Sequence, residues 1–252
     1  MINLKSQKEI AAMREGGRIL AAILDTLKNL VKPGIATSSL EEEARKLIDS
    51  HSVHPSFLGY DGFPAVLCVS INHQIVHGVP SDDAAIKEGD VVSLDIGIKH
   101  KGFHTDTAWT GIASSDPAKW KDRQKLIRVT IEALEKGIAV ALSGNTTGHI
   151  GQAIQNHVEK NGFSVVRDLV GHGVGKKLHE EPEVPNYGKP GQGIVLKPGM
   201  TIAIEPMVLM GDWKVKEGAD GFSYETKDGS LAAHVEHTIA ITEKEAYILT
   251  EK

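Results

Sequence analysis

Apolar positions along the chain switch repeatedly between a helical and an extended period. Over residues 6–31, Ile10, Met13, Gly17, Leu20, Ile23, Leu24, Leu27 and Leu30 recur near 3.6-residue spacing, which predicts a long amphipathic helix stopped by Pro33-Gly34. Ser38 with Glu41 fits a capping box for a second helix over 38–51. Short apolar runs bounded by turn residues follow, "AVLCVSIN" and "DVVSLDIGI", and read as strands. The order then recurs. Residues 118–142 are helical in pattern, "SGN" breaks them, and "TTGHIGQAIQNHVEKNG" is a further helix. "FSVVRDLV" and "GMTIAIEPMV" read as the strands that follow it.

At an offset of 110, Gly34 falls on Gly144, Thr37 on Thr147, Lys87 on Lys197, Gly89 on Gly199 and Asp95 on Glu205. "IKEGDVVSLDIG" and "LKPGMTIAIEPM" read as one strand written twice, each with a carboxylate near its end. The expectation is an α+β protein of two pseudo-two-fold-related halves, residues 6–110 and 117–240, within one compact domain spanning 1–252. A site where the halves meet follows from that arrangement.

Composition narrows the function class. The formal net charge is −5, which argues against nucleic acid or an anionic membrane as the main partner. The single cysteine, Cys68, excludes an intrachain disulfide and favours a reducing compartment. The first residues carry no continuous apolar run typical of a secretory signal, and no apolar run approaches 18 residues, so a cytoplasmic protein is expected.

The chemistry is carried by five acidic or histidine residues that sit where strands are expected. Asp95 lies in "SLDIG", Asp106 in "HTDTA", His172 in "VGHGVG", Glu205 in "AIEPM" and Glu236 in "HVEHT". A carboxylate in an apolar strand is costly unless paired or metal-bound. Any one of them could be a structural acid bonded to Arg, Lys or backbone. Together they outnumber the cations these strands offer, and four carboxylates with one imidazole suit two divalent ions, with Mn, Fe(II), Co and Zn all compatible. "GHGVGKK" is not a phosphate loop, because Val170 and Lys177 stand where that motif needs Gly and Ser or Thr. "HEEPE" is not a zinc-protease motif, since its fifth residue is Glu183. On position alone, His77, His104, His179, His234 and His237 read as ordinary loop or core histidines.

The set "SLDIG", "HTDTA", "VGHGVGKKLHEEP", "IEPM" and "VEHT" resembles, in order and spacing, the methionine aminopeptidases of the short bacterial type (type I), over nearly the whole chain. Glu205 and Glu236 are 31 residues apart and His172 and Glu205 are 33 apart, which leaves no room for the insertion of the type II enzymes. The resemblance implies the pita-bread fold, with a curved antiparallel sheet flanked by helices. It implies metal ligation by Asp95, Asp106, His172, Glu205 and Glu236, with Asp106 and Glu236 bridging two divalent ions. It implies catalytic roles for His77 near the scissile amide, His179 at the carbonyl oxygen and Glu205 as proton shuttle, in removal of the N-terminal methionine from nascent chains with a small second residue. Phe57, Tyr60, Phe63, Cys68 and Phe222 correspond to the methionine pocket. Phe57, Phe63, Leu178 and Phe222 depart from the family's usual Cys, Tyr, Phe and Trp. A monomer with ribosome contact is implied as well. The alternatives are an X-Pro peptidase on the same fold and a non-catalytic binding protein.

Overall fold

A computed structural model describes residues 2–252. Helix α1 (Gln7–Lys28) starts at a true capping box, Ser6 with Glu9, and buries Met13, Leu20, Ile23, Leu24 and Leu27. Helix α2 (Thr37–Ser50) follows. In the second half α3 (Lys121–Ala139) and α4 (Thr147–Lys160) repeat the pair. The first-half strands are β1 (His54–Pro55), β2 (Leu67–Ile71), β3 (Gln74–Val76), β4 (Val91–His100) and β5 (Phe103–Ile112). The second half supplies β6 (Ser164–Val165), β7 (Gly171–Gly173), β8 (Glu180–Val184), β9 (Thr201–Ile204) and β10 (Met207–Leu209). After these come β11 (Val215–Glu217), β12 (Tyr224–Thr226), β13 (Ala232–His234), β14 (Glu236–Ile241) and β15 (Ala246–Ile248).

The large sheet runs β1-β4-β5-β14-β9-β7-β8, with β2 also on β4 and β15 on β14, and its pairs are antiparallel. Two small sheets, β13-β10-β6 and β11-β12-β3, complete it. The offset of 110 persists in three dimensions. α2 and α4 are each 14 residues long, and the bridges Ala36–Ala85 and Thr146–Val195 occupy matching positions. Each half has its own apolar core. Leu94, Ile96 and Ile98 of β4 pack on α1 and α2, while Ile202 and Ile204 of β9 and Ile239 of β14 join α3 and α4. Successive strand side chains alternate faces. The residues between these core positions therefore point the other way.

Two expectations are corrected. The Ser38–Glu41 capping box does not form: α2 starts one residue earlier, after Ala36, with no side-chain cap. The bridge to Ala85 fixes that end, and the Glu41 carboxylate instead accepts the Val66 and Leu67 amides at 3.0–3.1 Å. "GMTIAIEPMV" is two strands in two sheets, broken at Glu205-Pro206. Pro206 has no N–H to continue the ladder.

α1 lies directly on the last strand's exit. Arg14 donates to the Leu249 and Glu251 carbonyls at 2.9 and 2.6 Å, and a Cβ on Gly17 would collide with the Leu249 carbonyl. Gly17→Ala is expected to lower stability by about 1–3 kcal/mol, the cost of overpacking. Urea unfolding measures it, and an unchanged midpoint would show that the contact yields freely.

Candidate active site

Strand register assembles the acidic cluster. Asp95 on β4 and Glu236 on β14 both pair with Ala108 of the intervening β5, and Cys68 on β2 pairs with Asp95 from the other side. Asp106 lies two residues from Ala108, on the same face. Small residues keep the row open. Gly97 pairs with Asp106, and a Cβ there would meet Phe57 Cε1 at 2.9 Å and Asp106 Oδ1 at 3.3 Å. Glu205 sits one residue past the end of β9, where the chain leaves the large sheet. β7 brings His172 alongside β9.

Threonines lock this frame. Thr238 Oγ1 donates to the Asp106 carbonyl at 2.8 Å and accepts the Asp106 amide at 2.9 Å, and Thr107 Oγ1 donates to the Glu236 carbonyl at 2.8 Å. The side chains they frame are left short of partners. Asp95 Oδ1 and Glu236 Oε1 are buried without a hydrogen bond. Among the described residues, no Lys or Arg forms an ion pair with Asp95, Asp106, Glu205 or Glu236, and the ion-pair contacts of Glu205 are His172 and His234, both at 3.6 Å.

The consequences are electrostatic. Burial pushes Glu205 up to about 8, and burial plus the Glu205 charge pushes Asp106 up to about 7. Asp95 and Glu236 are driven well above the carboxylate range, by burial and then by the neighbouring acids. Lost hydration holds His172 down to about 3. Its Nδ1 lies 2.9 Å from the Gly173 carbonyl. A carbonyl can only accept, so Nδ1 carries the proton and Nε2 presents a bare lone pair toward Glu205. Asp106, His172 and Glu236 bring ligand atoms within 4.8 Å of one another. Unpaired buried oxygens, a bare imidazole nitrogen and no nearby ammonium or guanidinium fit a divalent cation.

A cavity of about 1060 Å³ opens onto this cluster. Phe57, Phe63, Ala65, Cys68 and Leu178 form an apolar wall, with Val79 and Phe222 against it. Phe63 and Phe222 meet edge to face at 5.6 Å between centroids. The Cys68 thiol is raised well above its usual range, first by burial and then by Asp95, so it is a packing group and not a thiolate. Lys176 and Lys177 are exposed.

The histidines divide by partner. His104 and His237 are satisfied structural residues, bonded to Ser56 Oγ at 2.8 Å and Thr250 Oγ1 at 2.9 Å. His179 faces the cavity, its ring edge-on to His172 at 4.3 Å. His77 also lines the cavity, with φ +59°. That left-handed backbone is uncommon for a side-chain-bearing residue. Though its ring opens to the cavity, the enclosing protein strips its hydration. His77 is thereby lowered to about 4, with the neighbouring His234 and His179 adding to the effect.

Position in the sequence did not single out His234, which is 1% exposed with neither ring nitrogen hydrogen-bonded. Its Nε2 faces Glu205 Oε2 at 3.6 Å, and Thr110 fixes its backbone on both sides. Only the "HVEHT" spacing two residues from Glu236 hinted at it. Tyr60 lines the cavity with the apolar residues and also places its hydroxyl 2.8 Å from His179 Nδ1.

Among the described residues, no helix is long and apolar enough to cross a membrane. Comparison with known proteins agrees with the motifs. Residues 11–243 match metallopeptidase family M24. The chain is 49% identical over 251 residues to the methionine aminopeptidase of Clostridium perfringens, covering 99% of each. It is 48% identical over 253 residues to methionine aminopeptidase 1 of Bacillus subtilis, again covering 99% of each. The crystal structure of methionine aminopeptidase from Thermotoga maritima superposes with a TM-score of 0.96 at 44% identity, covering 100% of both chains. The architecture is thus the pita-bread fold, a curled antiparallel sheet flanked by helices. The buried carboxylate–imidazole cluster and these full-length likenesses converge: the chain belongs to metallopeptidase family M24, among the methionine aminopeptidases.

Proposed function

We propose that this protein removes the N-terminal methionine from nascent polypeptides, preferring a small second residue. The observation that carries the reading is the junction of two features: a buried set of four carboxylates and His172, unpaired with any Lys or Arg among the described residues, opening onto an apolar pocket. Asp95, Asp106, His172, Glu205 and Glu236 would hold two divalent ions. Mn, Fe(II), Co and Zn all suit this oxygen-rich set. Such ions, when bound, lower the pKa of water and polarise a carbonyl oxygen.

The chain's own residues supply the rest. Glu205 takes a proton from the attacking water and hands it to the leaving amine. His179 faces the carbonyl oxygen as charge develops there, and His77 lies beside the scissile amide. The wall of Phe57, Phe63, Cys68, Leu178 and Phe222 accepts a flexible, polarisable thioether side chain. Cytoplasmic action near the ribosome is the setting this substrate implies, and the family likeness supports a monomer.

The test uses chelated protein, with and without each restored metal, on Met-Ala-Ser, Met-Leu-Ser and Ala-Pro-Ala. Metal-dependent release of methionine, faster from Met-Ala-Ser than from Met-Leu-Ser, is expected. Cleavage of Ala-Pro-Ala alone would assign an X-Pro peptidase instead. Inertness with every metal would leave a binding protein.

A further inference from the structure

We infer that Tyr60 is a positioning residue that fixes the tautomer of His179, so that the Nε2–H of His179 faces the substrate. The inference rests on the function proposed above and assigns a task to a hydroxyl that an apolar pocket would not need. Tyr60 lies in a tight turn, Tyr60–Gly62, whose Asp61 takes a left-handed backbone at φ +46°. That turn brings the Tyr60 hydroxyl 2.8 Å from His179 Nδ1, across 119 residues of chain. The two rings meet edge to face at 5.0 Å and 88°.

Which ring nitrogen of a histidine carries the proton is set by the bond the other one makes. Two polarities are available here. The phenol can donate to Nδ1, leaving Nε2–H free, or Nδ1–H can donate to the phenol oxygen, leaving a bare Nε2. The phenolic O–H is the more acidic donor, and the imidazole nitrogen is a better acceptor than a phenol oxygen whose lone pair is delocalised into its ring. The first polarity is therefore the stronger bond. It also fits the task, since a donor at Nε2 stabilises an oxyanion and a lone pair there would repel it.

His179 is exposed toward the cavity, and two aromatic rings flank it. Its ring lies edge-on to Tyr60 at 5.0 Å and to His172 at 4.3 Å, which favours one ring plane. The two neighbouring histidines then differ in kind. His172 carries its proton at Nδ1, held by the Gly173 carbonyl, while His179 carries its proton at Nε2, held there by Tyr60.

Tyr60→Phe keeps the aromatic edge and removes only the hydroxyl. The measurement is the ¹⁵N–¹H correlation pattern of His179 in labelled protein, as purified and after addition of diamagnetic zinc, beside kcat and KM. The expected result is an Nε2–H tautomer in the native chain and a mixed tautomer in Tyr60→Phe. kcat should fall at least about ten-fold with little change in KM, bounded by the ~10²–10³-fold cost of losing an oxyanion donor outright. Tyr60→Phe should add little further loss in a His179→Ala background, because the two act as a unit. A native Nδ1–H tautomer would overturn the inference, as would a His179 spectrum that Tyr60→Phe leaves unchanged. Failure of the native protein to release methionine is a separate result: it would remove the proposed function, while the spectrum alone decides the tautomer.

Discussion

Glu205→Gln is expected to lower kcat for methionine release by about 10²–10⁴-fold, the range that a positioned general acid–base group supplies. The substitution preserves shape and removes the carboxyl group that can take up and release a proton. Glu205 stands at the only point in "TIAIEPMV" where the chain passes from the large sheet to a small one, and its carboxylate is flanked by the His172 and His234 rings at 3.6 Å. Burial pushes it up to about 8, which marks a site where a proton is readily held near neutrality. An interaction used only in the transition state lowers kcat and kcat/KM together, so KM should move little. Metal content measured on the same sample separates lost chemistry from lost ligation. Near-normal turnover at full metal loading would remove Glu205 from the proton-transfer role.

The second large effect is in stability. In metal-free protein, Asp106 and Glu205 are raised to about 7 and 8 from ordinary values of 3.8 and 4.5. A carboxylate with a higher pKa in the folded state binds more protons folded than unfolded, so stability falls as pH rises between the two values. The contribution is complete below about pH 4 and is lost as pH passes through 7 to 8. Up to about pH 6.5 the histidines held low, His172 and His77 among them, work the other way, so the melting temperature of chelated protein should drop above that value, across about pH 7 to 8.5, by about 2–4 °C for each kcal/mol lost. A divalent ion favours the charged carboxylates and competes with their protons, so loaded protein should show the opposite trend. Thermal melts of both forms over this window decide it. A flat or rising curve for the chelated protein would mean that these carboxylates have counter-charges in solution beyond those seen here.

Much of the architecture was legible. The 3.6-residue period found all four helices because each buries one apolar stripe, and α1 through Leu27 is the plainest case. The ends were less legible. Ser38 and Glu41 have the chemistry of a cap, but Glu41 serves the Val66 and Leu67 amides, a choice made by a segment distant in sequence. "FSVVRDLV" reads as a strand through its apolar content, yet only Ser164–Val165 pairs, because β10 offers it an edge of just three residues.

Asp95 and Glu205 stood out because apolar neighbours on both sides make a charge costly wherever the strand goes, and Asp106, His172 and Glu236 joined them through their place in strand-like segments and the motif set. That is a property of local sequence, and local sequence determined it. His234 is the counterexample. Its neighbours suggested an ordinary core histidine, and only the folded chain reveals that neither ring nitrogen is hydrogen-bonded and that Glu205 lies opposite. His77 likewise gave no sign of its left-handed backbone. The sequence by itself determined the alternation of helix and strand, the repeat at 110 residues and which carboxylates would need a counter-charge. Tertiary structure alone decided that Asp95 and Glu236 flank Ala108, that His172 turns its bare nitrogen toward Glu205, and that Tyr60 reaches His179 across 119 residues. The physical reason is that register and hydrogen-bond polarity are set between strands and loops remote along the chain, where no local pattern records them.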